Sequence, residues 1–268
     1  MSKYKLIAVD LDDTLLDSQR RISQRTIEAI RQVRKKGIHV TFATGRMFCS
    51  ARPFAQQLNI DLPLITYQGA LIKNVLSEEV LLHRTIPLDL AQQVITYLQQ
   101  NNYHINLYID DDLFVSESNP TGERYARNCR VDLNVVGDLL KFMDVSPTKI
   151  LAIDSAERIA KLQRQLEKIY STDVLHLCTS KPEFLEISNP EATKGHALAM
   201  LAKLFNVQRE EVMAIGDSFN DIEMLEYAGM AVVMDNAHDD IKGLADYVAP
   251  SNDQDGVAEV LEKLVLKE

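Results

Sequence analysis

The chain opens with an apolar segment that ends in acidic residues. Between Lys5 and Leu11, every residue before Asp10 is apolar, so an extended chain would be apolar on both faces. This pattern is typical of a central strand in a parallel sheet. A helix is predicted to begin after Ser23, a suitable N-cap, and to end before Gly37. The next apolar segment, IHVTFAT, predicts a second buried strand. This strand–helix–strand order predicts a right-handed crossover and a parallel sheet.

The pattern changes twice along the chain. A third strand near Leu62–Thr66 and a β-rich stretch continue the first pattern to Ile86. Residues 87–187 instead predict helices and strand pairs of a separate α+β unit, and strand–helix alternation returns after residue 188. The predicted fold class is therefore α/β, with a doubly wound parallel-sheet core formed by residues 1–86 and 188–268 and an inserted α+β domain at 87–187.

Composition narrows the class of partner. With 46% hydrophobic residues and a formal net charge of -10, the chain predicts a globular protein that binds neither nucleic acid nor an anionic membrane through bulk charge. An anionic substrate therefore requires a locally positive site. The cysteines are few and dispersed, and no segment approaches the roughly 20 apolar residues of a membrane span. We therefore expect a cytoplasmic protein.

Polar residues follow several of the predicted strands at the point where each strand ends. In open parallel sheets, ligands bind outside the carboxyl ends of the strands, so we expect these residues to converge on one crevice. A lysine that opens the helix after FLEIS belongs to the same set. The candidate site residues are Asp10, Asp12, Thr44, Gly45, Lys194, Asp217, Asn220 and Asp221.

The acidic pair Asp10 and Asp12 has a structural and a chemical interpretation. It is either a polar turn at the end of a strand or a nucleophile beside an acid/base, with a hard cation such as Mg²⁺ screening the charges. A calcium loop of the EF-hand type is excluded, because Leu15 and Arg21 stand where such a loop needs Gly and Glu.

The other candidates also have two interpretations. Thr44 and Gly45 form either a helix N-cap turn or a grip for phosphate oxygens at a helix N-terminus. Lys194 is either a solvated surface lysine or the positive charge of the crevice. Asp217 and Asp221 either cap the following helix, or Asp217 binds the cation while Asp221 accepts hydrogen bonds from metal-bound waters or from Lys194.

In combination, these segments resemble the haloacid dehalogenase (HAD) superfamily, specifically the Cof-type sugar-phosphate phosphatases. The family's four motifs match in order at DLDDTLL, ATGR, TKGHAL and GDSFND, and the resemblance spans nearly the whole chain. In such proteins a large α/β cap lies between the second and third motifs, which corresponds to the inserted domain. The chain departs from the family at Asp13 and Asp235, where Gly is frequent, and we expect neither change to impair catalysis.

The resemblance implies a role for each candidate. Asp10 would attack phosphorus to form an aspartyl-phosphate, and Asp12 would act as the acid and then the base. The implied Mg²⁺ ligands are the Asp10 carboxylate, the Asp12 backbone carbonyl and Asp217, with Asp221 hydrogen-bonded behind them. The residues implied to bind the transferring phosphate are Thr44, Gly45, Lys194 and Asn220.

The sequence thus predicts a Mg²⁺-dependent phosphatase that hydrolyses small phosphorylated metabolites, foremost sugar phosphates. A phosphomutase similar to phosphomannomutase is the alternative, since it shares the aspartyl-phosphate but returns the phosphoryl group to a sugar. A non-catalytic phosphate- or metal-sensing module is a third hypothesis, although such a module has no need of Asp12 as an acid/base. No pattern in the sequence predicts the physiological substrate or the oligomeric state.

Overall fold

A computed structural model describes residues 3–267 of the chain, with the side chain of residue 180 left out. The chain divides into two compact units. The first comprises Met1–Gly45, Ala51–Leu81 and Thr193–Glu268, and the second comprises Arg46–Ser50 and Leu82–Ala192. Within the described residues, no helix is long and apolar enough to cross a membrane.

The regular elements follow the apolar patterns of the sequence. The strands are, in chain order, β1 Leu6–Val9, β2 His39–Phe42, β3 Pro63–Thr66, β4 Leu71–Asn74, β5 Val80–His83, β6 His104–Ile109, β7 Asp112–Val115, β8 Asn134–Val135, β9 Lys149–Ile153, β10 His176–Lys181, β11 Phe184–Ser188, β12 Val212–Gly216, β13 Met230–Met234 and β14 Tyr247–Ala249. The helices are α1 Gln24–Lys35, α2 Phe48–Gln57, α3 Leu88–Gln100, α4 Pro120–Cys129, α5 Leu139–Phe142, α6 Ala156–Ile169, α7 Lys194–Leu204, α8 Ile222–Tyr227, α9 Asp239–Lys242 and α10 Gly256–Leu261.

The first unit contains a parallel sheet with the strand order β14-β13-β12-β1-β2. Strand β1 pairs in parallel with β12 on one side and with β2 on the other, and every one of its residues is buried. A strand in that position needs apolar side chains on both faces, as the sequence LIAV supplies. Helix α1 packs against α10, and α7 packs against α8. The predicted doubly wound core is confirmed.

Strand β3 differs from the other strands of the first unit. It pairs antiparallel with β4 and meets the parallel sheet at a bridge between Ala43 and Ile65. The Thr44 N–H donates to the Ile65 carbonyl at 2.9 Å, and the Gln68 N–H donates to the Thr44 carbonyl at 3.0 Å. The turn after β3 is therefore fixed beside the end of β2, where the second motif lies.

The second unit is an α+β domain, as predicted for the inserted segment. Its sheet has the order β10-β11-β9-β6-β7-β8, with antiparallel neighbours except for the parallel pair β7 and β8. Alternate strand residues such as Leu107 and Ile150 share a buried apolar cluster with Val94 of α3 and Leu162 of α6. This alternation is the period-two pattern of a sheet that has one face packed on helices.

Candidate active site

Asp10 lies at the carboxyl end of the central strand. Its N–H donates to the Ile215 carbonyl at 2.9 Å, so the backbone is still held to β12 when the chain leaves β1. The residue is 6% exposed. The chain then turns through Leu11–Leu15, and Asp12 lies half-buried in that turn. The structure therefore puts both carboxylates of the first motif at the strand end, with Asp10 the more deeply buried.

Lys194 is the first residue of α7, and its side chain is fully buried. Its Nζ donates to Asp10 Oδ1 at 2.6 Å and to Asp221 Oδ1 at 2.6 Å. Lys194 is thus not a solvated surface lysine, because its ammonium group bridges carboxylates from the first and fourth motifs. Such charge-assisted hydrogen bonds orient the partner groups strongly.

The fourth motif presents two aspartates in different settings. Asp217 is partly exposed, and its Oδ1 accepts a hydrogen bond from Thr14 Oγ1 at 2.7 Å. Asp221 is fully buried, and its Oδ2 accepts from the backbone N–H groups of Asp217 and Ser218, each at 3.0 Å. Since Lys194 takes the other oxygen of Asp221, both of its oxygens are already engaged.

Gly216 explains how Asp221 fits so close to the strand end. A Cβ on Gly216 would lie 2.6 Å from Cγ of Asp221, a distance that Cβ atoms do not tolerate. The glycine is therefore required by the packing of the Asp221 carboxylate rather than by its own backbone conformation. The glycine of the fourth motif therefore has a steric cause, its contact with Asp221, that the sequence alone does not reveal.

The carboxylates crowd one another. Burial raises the pKa of Asp10 well above its usual value, and the charges of Asp221 and Asp217 add to the rise although Lys194 opposes it. Burial and the Asp221 charge raise the pKa of Asp217 to about 7. Burial alone would lower the pKa of Lys194, but Asp10 and Asp221 outweigh it and raise that pKa above its ordinary value. The single ammonium group therefore does not offset all of the negative charge.

This cluster fits a hard cation. Asp10, Asp217 and Asp221 each offer a carboxylate oxygen, and these oxygens lie within 4.8 Å of one another. Oxygen donors of this kind are the ligands that Mg²⁺ prefers. A divalent cation would relieve the repulsion that, together with burial, raises the pKa values of Asp10 and Asp217. Because both oxygens of Asp221 are engaged, Asp10 and Asp217 are the better placed ligands.

Gln68, for which the sequence patterns predict no role, connects the second motif to the fourth. Thr44 is buried, and helix α2 begins only at Phe48, so Thr44 and Gly45 precede the helix rather than open it. Gln68 lies between Gly45 and Asn220: a Cβ on Gly45 would lie 2.5 Å from Gln68 Nε2, and Asn220 Nδ2 donates to Gln68 Oε1 at 2.9 Å. The rule that places polar residues after strands points to Gln68 when it is applied to β3.

The two departures from the family pattern have local explanations. Asp13 has a φ of 60°, in the left-handed region where glycine is favoured, which accounts for the frequent Gly at this position. Aspartate tolerates that conformation better than most residues, and its charge contributes to the raised pKa of Asp217. Asp235 is exposed and pairs with Lys242 at 3.3 Å. Neither residue adds a group to the buried cluster.

Comparison with known proteins gives consistent matches. A family model described as haloacid dehalogenase-like hydrolase matches residues 7–261. A putative phosphatase of Haemophilus influenzae is 32% identical over 261 residues, which cover 97% of this chain and 98% of the relative. A Bacillus subtilis protein named 5-amino-6-(5-phospho-D-ribitylamino)uracil phosphatase is 30% identical over 267 residues, which cover 98% of each chain. A crystal structure of a Thermotoga maritima protein, 34% identical, covers 97% of each chain with a TM-score of 0.87.

These matches span both the core and the inserted segment. They confirm the resemblance that the four motifs carry, together with the doubly wound core and its inserted cap. The names of the relatives confirm the prediction of a phosphoric monoester hydrolase. The chain therefore belongs to the haloacid dehalogenase-like hydrolase family, in which it is a Cof-type phosphatase.

Proposed function

We propose that the chain is a Mg²⁺-dependent phosphatase that hydrolyses small phosphorylated metabolites, foremost sugar phosphates, through an aspartyl-phosphate on Asp10. The observation that carries the proposal is the buried Asp10–Lys194–Asp221 bridge, with both ion pairs at 2.6 Å. This bridge holds Oδ1 of Asp10 at the carboxyl end of a parallel strand, where ligands bind. A relative's named substrate, 5-amino-6-(5-phospho-D-ribitylamino)uracil, is a compound of the proposed class.

Asp10 and Asp12 divide the chemistry between them. Asp10 attacks the phosphorus atom, so that an oxygen–phosphorus bond forms to its carboxylate while the bond to the leaving alcohol breaks. Asp12 donates its proton to the leaving oxygen and then takes a proton from the water that hydrolyses the aspartyl-phosphate. Two carboxylates with different roles require different environments, and Asp12 is half-buried whereas Asp10 is buried.

The metal would be held by the Asp10 carboxylate, the Asp12 backbone carbonyl and Asp217. When bound, Mg²⁺ supplies positive charge that screens the approach of the anionic ester to Asp10. Thr14 orients Asp217 through its hydroxyl at 2.7 Å. Asp221 holds Lys194 and two backbone N–H groups in place behind the ligands. Such partners normally fix the orientation of metal ligands.

The transferring phosphate is bound by Thr44, Gly45, Lys194 and Asn220. Phosphoryl transfer depends mainly on positioning and on stabilising charge over the phosphate oxygens. Lys194 is the positive group of this set, and its raised pKa keeps it charged. The locally positive group that an acidic protein needs is therefore a buried lysine.

A direct test is phosphate release from a panel of sugar phosphates and p-nitrophenyl phosphate, with Mg²⁺ and after treatment with EDTA. We expect release that EDTA abolishes and Mg²⁺ restores, because the crowded carboxylates leave the site unsuited to an anion without the cation. Conversion of a sugar 1-phosphate to its 6-phosphate without net release would instead indicate the mutase. Binding of esters without any turnover would indicate the sensing module.

The pH dependence of Mg²⁺ binding follows from the crowding of the carboxylates. Asp217 has a pKa of about 7, so at lower pH a proton must leave before the carboxylate can bind the cation. Asp10, whose pKa is also raised, must be deprotonated as well, so we expect Mg²⁺ affinity to fall by at least about tenfold per pH unit below the Asp217 pKa. Calorimetry in buffers of different ionisation enthalpy would count the released protons. A constant affinity across this range would contradict the assignment of Asp217 as a ligand.

A further inference from the structure

The turn that follows β3 has an unusual backbone. Tyr67, Gln68 and Gly69 have φ values of 52°, 59° and 102°, so three consecutive residues occupy the left-handed region. This region is unfavourable for residues that carry a Cβ, and two of the three do. Such strain persists only where the surroundings determine it, and it is concentrated at functional sites. The surroundings of this turn therefore hold its backbone in an unfavourable conformation.

Gln68 holds the turn against the second and fourth motifs. Its side chain belongs to the buried set, with the residue 4% exposed. Its backbone N–H donates to the Thr44 carbonyl at 3.0 Å, and its Oε1 accepts from Asn220 Nδ2 at 2.9 Å. The carboxamide fills the space that a Cβ on Gly45 would occupy. It thus lies among three residues of the proposed phosphate site.

The adjacent glycine brings the same turn to the third motif. A Cβ on Gly69 would overlap the backbone carbonyl of Thr193, so only glycine allows this approach. Thr193 is the N-cap of α7 and directly precedes Lys194. The strained turn therefore contacts the segments that carry the second, third and fourth motifs. A single short segment in this position can fix the relative placement of all three.

The hydrogen bond from Asn220 Nδ2 to Gln68 Oε1 determines how the side-chain amide of Asn220 is oriented. An amide nitrogen carries two N–H donors, so the one given to Gln68 leaves a second for a phosphate oxygen. Asn220 Oδ1 is buried and has no hydrogen-bond partner among the described residues. Rotating the amide by half a turn would set Oδ1 against Gln68 Oε1, with two acceptors facing each other. Gln68 Oε1 therefore fixes the orientation that presents a donor.

We propose that Gln68 is a positioning residue for phosphate binding, which acts by fixing the side-chain amide of Asn220 as a hydrogen-bond donor toward the phosphate. The proposal rests on the proposed function. The strained backbone of Gln68 and the space beside Gly45 place its carboxamide, and the carboxamide in turn places Asn220. Gln68 acts through Asn220 and need not touch the reacting atoms.

The test combines Gln68→Met, Asn220→Ala and the double variant. Met keeps the length and burial of Gln68 but removes the acceptor. We expect Gln68→Met to lower kcat/KM by roughly 10-fold to 100-fold and to weaken binding of inorganic phosphate in the presence of Mg²⁺. The double variant should be no worse than Asn220→Ala within about twofold, because removing Asn220 removes the group through which Gln68 acts. Gln57→Met, at an exposed position of α2, is the matched control and should behave as the unmodified protein.

Several outcomes would overturn the proposal. Unchanged kcat/KM and phosphate affinity in Gln68→Met would do so, as would a double variant whose loss equals the product of the two single losses. If Gln68→Met does not fold, Gln68→Asn replaces it, because asparagine tolerates the left-handed region and its amide is too short to reach Asn220. If the unmodified protein hydrolyses no ester, the proposed function fails, and calorimetric binding of inorganic phosphate to each variant still decides the role of Gln68.

Discussion

We expect Asp10→Asn to lower phosphate release by at least about 10³-fold while the protein remains folded. The amide has nearly the shape of the carboxylate, but its oxygen is a poor nucleophile. Its carbonyl oxygen can still accept the hydrogen bond that Lys194 Nζ donates to Asp10 Oδ1. The change also removes a buried charge whose pKa is raised by burial and by Asp221 and Asp217. Removing that charge relieves repulsion from Asp221 and Asp217 but also removes the ion pair with Lys194, which keeps Asp221 as a partner, so we expect little change in the melting temperature.

The measurement compares kcat for p-nitrophenyl phosphate and for the preferred ester in the unmodified protein and in Asp10→Asn. Asp13→Asn is the matched control, since Asp13 is an exposed neighbour whose charge acts on Asp217 but which has no proposed chemical role. We expect this control to keep activity within a few-fold. Acid quenching followed by mass spectrometry should find a phosphoryl group on the Asp10 peptide of the unmodified protein. An Asp10→Asn protein with a tenth of normal turnover would remove Asp10 from the role of nucleophile.

Much of the core could be predicted from local pattern. The run LIAV is buried at every position because β1 has a parallel neighbour on each side, and parallel strands are covered on both faces. The sequence predicts Ser23 as an N-cap, and its side chain accepts a hydrogen bond from the Thr26 N–H. These signals are local: each depends on a few residues whose preference agrees with the tertiary structure.

Other elements have weak sequence signals for identifiable reasons. The sequence patterns gave no prediction for helix α4, whose buried residues are Gly122 and Ala126. Such small residues leave little apolar periodicity, and the helix begins at the Asn119 cap instead. Strand β14 is three residues long and lies at the edge of the sheet, which is too short for a period-two pattern.

The site shows the same division between local and tertiary information. The rule for strand ends selects Asp10 correctly, because the parallel topology brings such residues to one edge of the sheet. For Lys194 the premise is wrong: the strand before it, FLEIS, is β11 of the antiparallel sheet in the second unit, and Lys194 reaches Asp10 from the start of α7. The rule could not show that Lys194 is fully buried, since burial depends on segments far apart in the chain. Gln68 depends on a left-handed backbone that Gln itself does not favour. Residues of this kind are selected by their neighbours, and a structure is needed to find them.

We expect Lys194→Met to lose both activity and stability. The substitution leaves Asp10 and Asp221 buried without the ammonium group that lies 2.6 Å from each. Removing one partner of a buried ion pair typically costs about 3–5 kcal/mol of unfolding free energy, because the remaining charge is uncompensated. The proposed phosphate site also loses its positive group, so kcat/KM should fall by at least about 10²-fold. Urea unfolding without Mg²⁺ and steady-state kinetics measure the two effects. Lys203→Met, on the exposed side of the same helix, is the control.

The loss of stability in Lys194→Met should depend on the charge that remains. Adding Asp221→Asn removes one of the two uncompensated carboxylates, so the double variant should be more stable than Lys194→Met alone. Mg²⁺ should likewise stabilise Lys194→Met more than the unmodified protein, because the cation replaces the missing positive charge and binds only the folded site. Neither change would restore phosphate release, since neither supplies a donor at the position of Nζ. Equal unfolding free energies for Lys194→Met and the unmodified protein in the absence of metal would contradict this account. They would show that Lys194 does not compensate the charges of Asp10 and Asp221.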